Sequence, residues 1–224
     1  MSCGCVPTVP WLSNVLSVIA GALISIAIVI LVETLRQPKL SIRIESGPED
    51  ISLRDGRKAR WVHVIVTNES LPRWAMWLKR DSATLCRATV QFMYFDGRQD
   101  VFGRSMVGRW SNTPQPIQAT IVMEGKTFKI NDPQRTAQLS IDIPPGESER
   151  LDVAVRYSDN DDAYGWNNEP YFNHWESPWP LPKGRYFVLV TVRSSGQKAM
   201  AEFYLDNNQG LKEFRLENSP AAKK

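Results

Sequence analysis

Two patterns of apolar and polar positions divide this chain. The first is an uncharged run from Leu12 to Val32, LSNVLSVIAGALISIAIVILV, bounded by Trp11 on one side and by Glu33 and Arg36 on the other. Twenty-one residues at about 1.5 Å each span roughly 30 Å as a helix, the thickness of a hydrocarbon core. Residues 12–35 therefore read as a transmembrane helix seated in a lipid bilayer, preceded by a short tail, 1–11. Pro10 suits a first helical turn and Trp11 suits the membrane interface. A cleaved signal peptide would need a basic leader, a shorter apolar core and a small-residue cleavage site, and this stretch offers none of them.

The second pattern begins after Pro38 and has a period of two. Leu40, Ile42 and Ile44 alternate with Ser41, Arg43 and Glu45, which predicts a half-buried strand. A turn-like segment from SGPED to RDGRK separates it from Arg60–Asn68. There Val62, Val64 and Val66 alternate with Trp61, His63 and Ile65, so that both faces of the strand are largely apolar. A long strand follows from Ala83 to Phe95, and Asp96-Gly97 marks a hairpin returning over 98–102. Further strands are expected at 117–123 and 126–130 around Glu124-Gly125, at 138–143, at 149–157 after the Pro144-Pro-Gly-Glu turn, and at 184–194 and 198–207. Eight or nine strands with no helical period after residue 38 predict an all-β fold. The expected fold is an antiparallel β-sandwich of immunoglobulin-like architecture over 36–217, with a disordered tail, 218–224. That likeness is one of architecture alone, and no motif assigns a family.

Segments that break the alternation hold the candidate chemistry. Tyr164–Trp179 contains six aromatic residues in sixteen, interleaved with Asn167, Asn168, Asn173, His174, Glu169 and Glu176. Aromatic faces with amides and carboxylates suit a sugar ring or a peptide proline, which makes Tyr164, Trp166, Tyr171, Trp175 and Trp179, with Trp110 from another loop, candidate ligand-binding residues. The competing reading is that these rings hold a long loop down by packing. Just before them, Asp159, Asp161 and Asp162 offer oxygens to a calcium ion, although Ala163 and Tyr164 break the EF-hand pattern; a solvated acidic turn is the alternative. Leu71–Arg80 is rich in aromatic and basic residues. It reads either as an interfacial segment on the membrane or as a loop whose tryptophans pack into the core.

Within the apolar run, Ser13, Ser17, Gly21 and Ser25 recur every fourth residue and would line one helix face. A second helix can approach closely there, so a homodimer through this face is a further expectation. All 27 Lys and Arg follow the run, and Arg36, Lys39 and Arg43 lie just beyond it. Basic residues beside a span are retained in the cytoplasm, which puts the N-terminus outside and the large domain inside. A lone domain cysteine, Cys86, agrees with a reducing compartment and reads as a small buried hydrophobe. With the opposite topology, Asn68-Glu-Ser70 would be a glycan acceptor.

The remaining composition excludes classes of function. A net charge of +3 without a basic stripe argues against nucleic acid. Gly103-RSMVG misses the nucleophile-elbow spacing, no zinc-protease, phosphate-loop or dinucleotide motif occurs, and the two histidines stand 111 positions apart. No catalytic residue and no cofactor is assigned. The expected function is a single-pass, membrane-anchored module that binds a protein partner or a ligand. The alternatives are an externally displayed glycan-binding sandwich and a membrane-tethered hydrolase.

Overall fold

The uncharged run is helical from Pro10 to Arg36 (α1), and its Asn14–Arg36 part is long and apolar enough to cross a membrane. These are features of a computed structural model that describes residues 10–53, 56–116, 119–130, 137–172 and 176–219. The chain divides into two compact units: the N-terminal segment through Gln37 with Leu71–Asp81, and Pro38–Ser70 with Ser82 onward.

In the first unit, α1 leaves carbonyls at its C-terminal end that a helix alone cannot satisfy. The Asp81 N–H donates to the Arg36 carbonyl at 2.7 Å, and the Asp81 carboxylate lies 3.3 Å from the Arg36 guanidinium. Leu71–Asp81 is thereby fastened to the end of the helix. A 3-10 turn at Arg73–Ala75 buries Ala75 and turns Trp74, Met76 and Trp77 outward, each at least 65% exposed. The expectation that these tryptophans pack into a core fails here, because the turn spends its single buried position on an alanine. On α1, nothing lies within 4 Å of where a Cβ on Gly21 would stand, and the Ser25 hydroxyl donates back to the Gly21 carbonyl at 2.9 Å. Ser13 and Ser17 share the helix, the side chain of Ser13 lying outside the described residues.

The second unit is two antiparallel sheets packed together. One sheet joins Leu40–Ile44 (β1), Glu49–Ser52 (β2), Lys58–Asn68 (β3), Arg109–Trp110 (β6), Ser148–Tyr157 (β10), Ala163–Gly165 (β11) and Pro180–Leu181 (β12). The other joins Ala83–Tyr94 (β4), Met106–Val107 (β5), Ile141–Ile143 (β9), Gly184–Ser194 (β13), Gln197–Asn207 (β14) and Arg215–Asn218 (β15). Among the described residues, Ala119–Met123 (β7) and Lys126–Ile130 (β8) pair only with each other. Their turn places Glu124 and Gly125 at positive φ, the backbone that a two-residue hairpin turn demands.

The alternating apolar positions meet between the sheets. Val62, Val64, Val66 and Leu151 from the first sheet face Cys86, Ala88, Val90, Phe92, Val188, Val190, Val192, Phe203 and Leu205 from the second. Cys86 is fully buried, and burial pushes its thiol up to about 11, so it packs as a small apolar group.

Beyond the short strands β5, β6, β11 and β12, which no alternation announced, three strand assignments differ from the expectation. Glu49–Ser52 pairs with β3 where a turn was expected, because Asp50 is held by Arg60 at 2.6 Å and the segment adds an edge strand. Residues 98–102 make a single bridge, Met93 to Asp100, instead of a returning strand. Asn218, placed in a disordered tail, pairs with Phe203; residues from 220 onward lie outside the described set.

Candidate ligand-binding cleft

The candidate site is built on a β-bulge. β10 pairs with β3 in register from Ser148 to Asp152, slips at Val153, and resumes at Ala154. An extra residue in one strand shifts the side-chain parity beyond it. Asp152 opposite His63, and Val155 opposite Trp61, therefore share the face of the sheet that turns away from the main core. The aromatic loop folds back over that face, and Ala59, Val155 and Trp166 form a second core with Trp61, Tyr157, Tyr164 and Tyr171 at its margin. Trp61, an apolar outer position of β3 read from the sequence, is covered in this way.

Beside that second core lies an open cleft of about 460 Å³ lined by Arg57, Tyr157, Asp159, Asn160, Tyr164, Trp166, Glu176 and Ser177. Tyr157 and Tyr164 set their ring centroids 6.2 Å apart at 53°. Asn160 donates from Nδ2 to the Tyr164 hydroxyl at 2.6 Å and accepts from the Asp162 N–H at 2.9 Å, which fixes both the tyrosine and the acidic turn. Arg57 stands over the Tyr157 ring at 5.5 Å and reaches Asp159 at 3.4 Å. Burial pushes the Tyr157 phenol up to about 12, so at neutral pH it is a donor and not a base. Ser177 closes the far wall by donating to the Gly165 carbonyl at 2.8 Å. A lining of aromatic faces with carboxylates, an amide and a hydroxyl can stack a flat ring and hydrogen-bond its substituents.

Of the aromatic candidates, Trp110, Trp166 and Trp179 are buried. Trp110 and Trp179 join the core between the sheets, where Trp179 meets Phe102 edge-on at 5.0 Å. Trp166 packs edge-on against Trp61 at 4.7 Å and shows only its margin to the cleft. Tyr164 and Tyr171 stay half-buried, and Trp175, with Asn173 and His174, lies outside the described residues. The three aspartates do not converge. Asp159 turns to Arg57, Asp161 turns to Arg156 at 3.3 Å, and among the described residues no three His, Cys, Asp or Glu side chains come together as a metal site. Arginines neutralise two of the three carboxylates that a cation would have needed, Asp159 and Asp161.

A buried polar cluster flanks the cleft and had no sequence signal beyond His63 itself. His63 Nδ1 lies 3.0 Å from Asp152 Oδ1, Arg109 Nε lies 3.5 Å from Asp152 Oδ2, and the Ser111 hydroxyl donates to the same carboxylate. Arg109 continues into the aromatic loop, donating to Asn168 Oδ1 at 2.6 Å and standing 4.9 Å from the Tyr171 ring. The serine donates to the aspartate and not to an imidazole, so the set lacks the nucleophile-to-base contact of a hydrolase triad. The cluster ties β3, β6 and β10 to the loop.

Arg57, Tyr157 and Asn160 were missed as cleft residues. Arg57 and Asp159 are 102 positions apart, and no local pattern links them. Asn68 is fully buried, with its side-chain oxygen accepting from the Lys39 N–H and its Nδ2 donating to the Ile143 carbonyl, so the folded chain offers no glycan acceptor there. No known family, curated protein or solved structure matches this chain.

Proposed function

We propose that this chain is a single-pass membrane protein whose β-sandwich lies in the cytoplasm and holds a protein partner or ligand at the bilayer through the Tyr157–Tyr164 cleft. The observation that carries the reading is the cleft itself: an open cavity of about 460 Å³ with aromatic faces and hydrogen-bonding groups, on a domain whose chain continues into a span-capable helix. Tethering raises the effective concentration of a weak contact, so a shallow, polar site of this kind is sufficient at a membrane. The basic residues just after the helix support the cytoplasmic placement.

Protease protection of a C-terminal tag reads the topology. The tag is expected to resist digestion in intact cells and to be cut after permeabilisation. Cleavage in intact cells would move the domain outside, and the same cleft would then be read as a glycan site. Binding is tested with a photo-crosslinking residue in place of Glu176 at the exposed rim. A discrete adduct is expected with the native cleft and with Tyr164→Phe, and its loss is expected with Tyr164→Ala. An adduct indifferent to Tyr164→Ala would remove the cleft from the function.

A further inference from the structure

On the outer face of the second sheet, the strand register sets three cations side by side. Arg193 on β13 lies directly opposite Arg87 on β4 and directly opposite Lys198 on β14. All three are exposed, and adjacent strands lie about 4.8 Å apart, so the row runs about 10 Å from Arg87 to Lys198. Like charges directly opposed across a sheet destabilise it.

Seven other arginines of the domain are neutralised: Arg57 by Asp159, Arg60 by Asp50, Arg109 by Asp152, Arg150 by Glu45 and Glu49, Arg156 by Asp161, Arg185 and Arg215 by Glu217, while Arg43, Arg98 and Arg104 stand singly and not in a cross-strand row. Arg87, Arg193 and Lys198 have no ion pair among the described residues. The neighbouring Asp142 carboxylate is engaged by the Leu85 N–H at 2.7 Å. The next acid on this face of β14, Glu202, sits opposite Leu189, four residues along from Lys198 and roughly 14 Å away.

The row borders a cavity of about 560 Å³ lined by Arg87, Arg193, Thr89, Thr191, Leu85 and the serines Ser105, Ser194 and Ser195, with no carboxylate in its wall. The Ser194 hydroxyl is buried there without a hydrogen-bond partner. Guanidinium forks with hydroxyl donors around an acid-free cavity are the groups that hold tetrahedral oxyanions.

We propose that this cavity is a second binding site, distinct from the tyrosine cleft, and that it takes a ligand bearing two or more phosphate groups. Two phosphates spaced along the row meet three cations and the hydroxyls of Thr89 and Thr191. The ligand relieves the repulsion that the empty row carries. A polyphosphorylated lipid headgroup and a soluble polyphosphate present the same chemistry.

The test uses the full chain in neutral phosphatidylcholine nanodiscs, titrated with tripolyphosphate by calorimetry. Saturable binding is expected, weakened about tenfold or more by Arg87→Gln and again by Arg193→Gln, with Arg98→Gln, beyond the other end of β4, unchanged. Nanodiscs doped with phosphatidylinositol bisphosphate distinguish the sources: lost tripolyphosphate binding assigns the headgroup, and retained binding assigns the soluble ligand. Thermal melting provides the second readout. Without anion, Arg193→Gln is expected to hold or raise the melting temperature, and added tripolyphosphate is expected to raise that of the native chain only. No saturable binding, binding indifferent to both arginine substitutions, or a lower melting temperature for Arg193→Gln without anion would each overturn the proposal.

Discussion

Asp152 shows how much one side chain can organise. Its carboxylate is buried and shared among His63, Arg109 and Ser111, so removing it leaves a buried guanidinium without its counter-charge. Losing one partner of a buried pair costs about 3–5 kcal/mol, and Asp152→Ala is expected to lower stability by that order, measured as a shift in the urea midpoint. Gly108 is constrained differently. It bridges β5 and β6 where a Cβ would stand 2.9 Å from both Ala88 Cβ and Leu151 Cδ1. Gly108→Ala is expected to cost about 1–3 kcal/mol by overpacking, read as a lower melting temperature. Neither role was legible in the sequence. Asp152 reads as the polar half of an alternating strand, and Gly108 reads as a loop glycine. Each role depends on residues twenty or more positions away in the chain.

At the scale of elements, regular periods proved the most legible. The strands of β3, β4, β13 and β14 follow their alternation because one face of each meets the other sheet, and burial rewards a period of two. Two-residue strands such as β5, β6 and β12 are too short to show a period; their partners create them. The Leu71–Asp81 segment had two readings from composition, and its fastening to Arg36 with Trp74, Met76 and Trp77 turned outward favours the interfacial one. In bilayers, Trp74 and Trp77 fluorescence is expected to be quenched more strongly by lipids brominated near the headgroup than by lipids brominated at the chain end. A Trp74→Phe/Trp77→Phe variant should lose that difference. Equal quenching at both depths, or none, would place these rings away from the interface.

For the whole molecule, stability toward alkali follows from one buried and one half-buried phenol. Burial pushes both Tyr157 and Tyr186 up to about 12 from an ordinary value of 10.0, and the Tyr186 hydroxyl donates to the Pro182 carbonyl at 2.6 Å. Between these values the unfolded chain has released protons that the folded chain still holds. This contribution is therefore fully present below pH 10 and is lost as pH rises toward 12. Tyrosinate absorbance and circular dichroism are expected to change together over that window, and Tyr157→Phe should move the transition upward. The sequence by itself determined the span-capable helix, the all-β class and the long strands, because each is written in a local repeat that any packing partner satisfies. It also singled out the aromatic loop, though not which of its rings would be buried. Tertiary structure alone decided that three indoles would fill cores while Tyr157, Tyr164 and Arg57 line a cleft, and that Asp159 and Asp161 would be neutralised by arginines. It also decided that Arg87, Arg193 and Lys198 would stand in one row. These outcomes turn on register, on a single bulge at Val153 and on pairings across about a hundred residues. Cross-strand pairing is a long-range choice made by the whole core, and a local pattern carries no record of it.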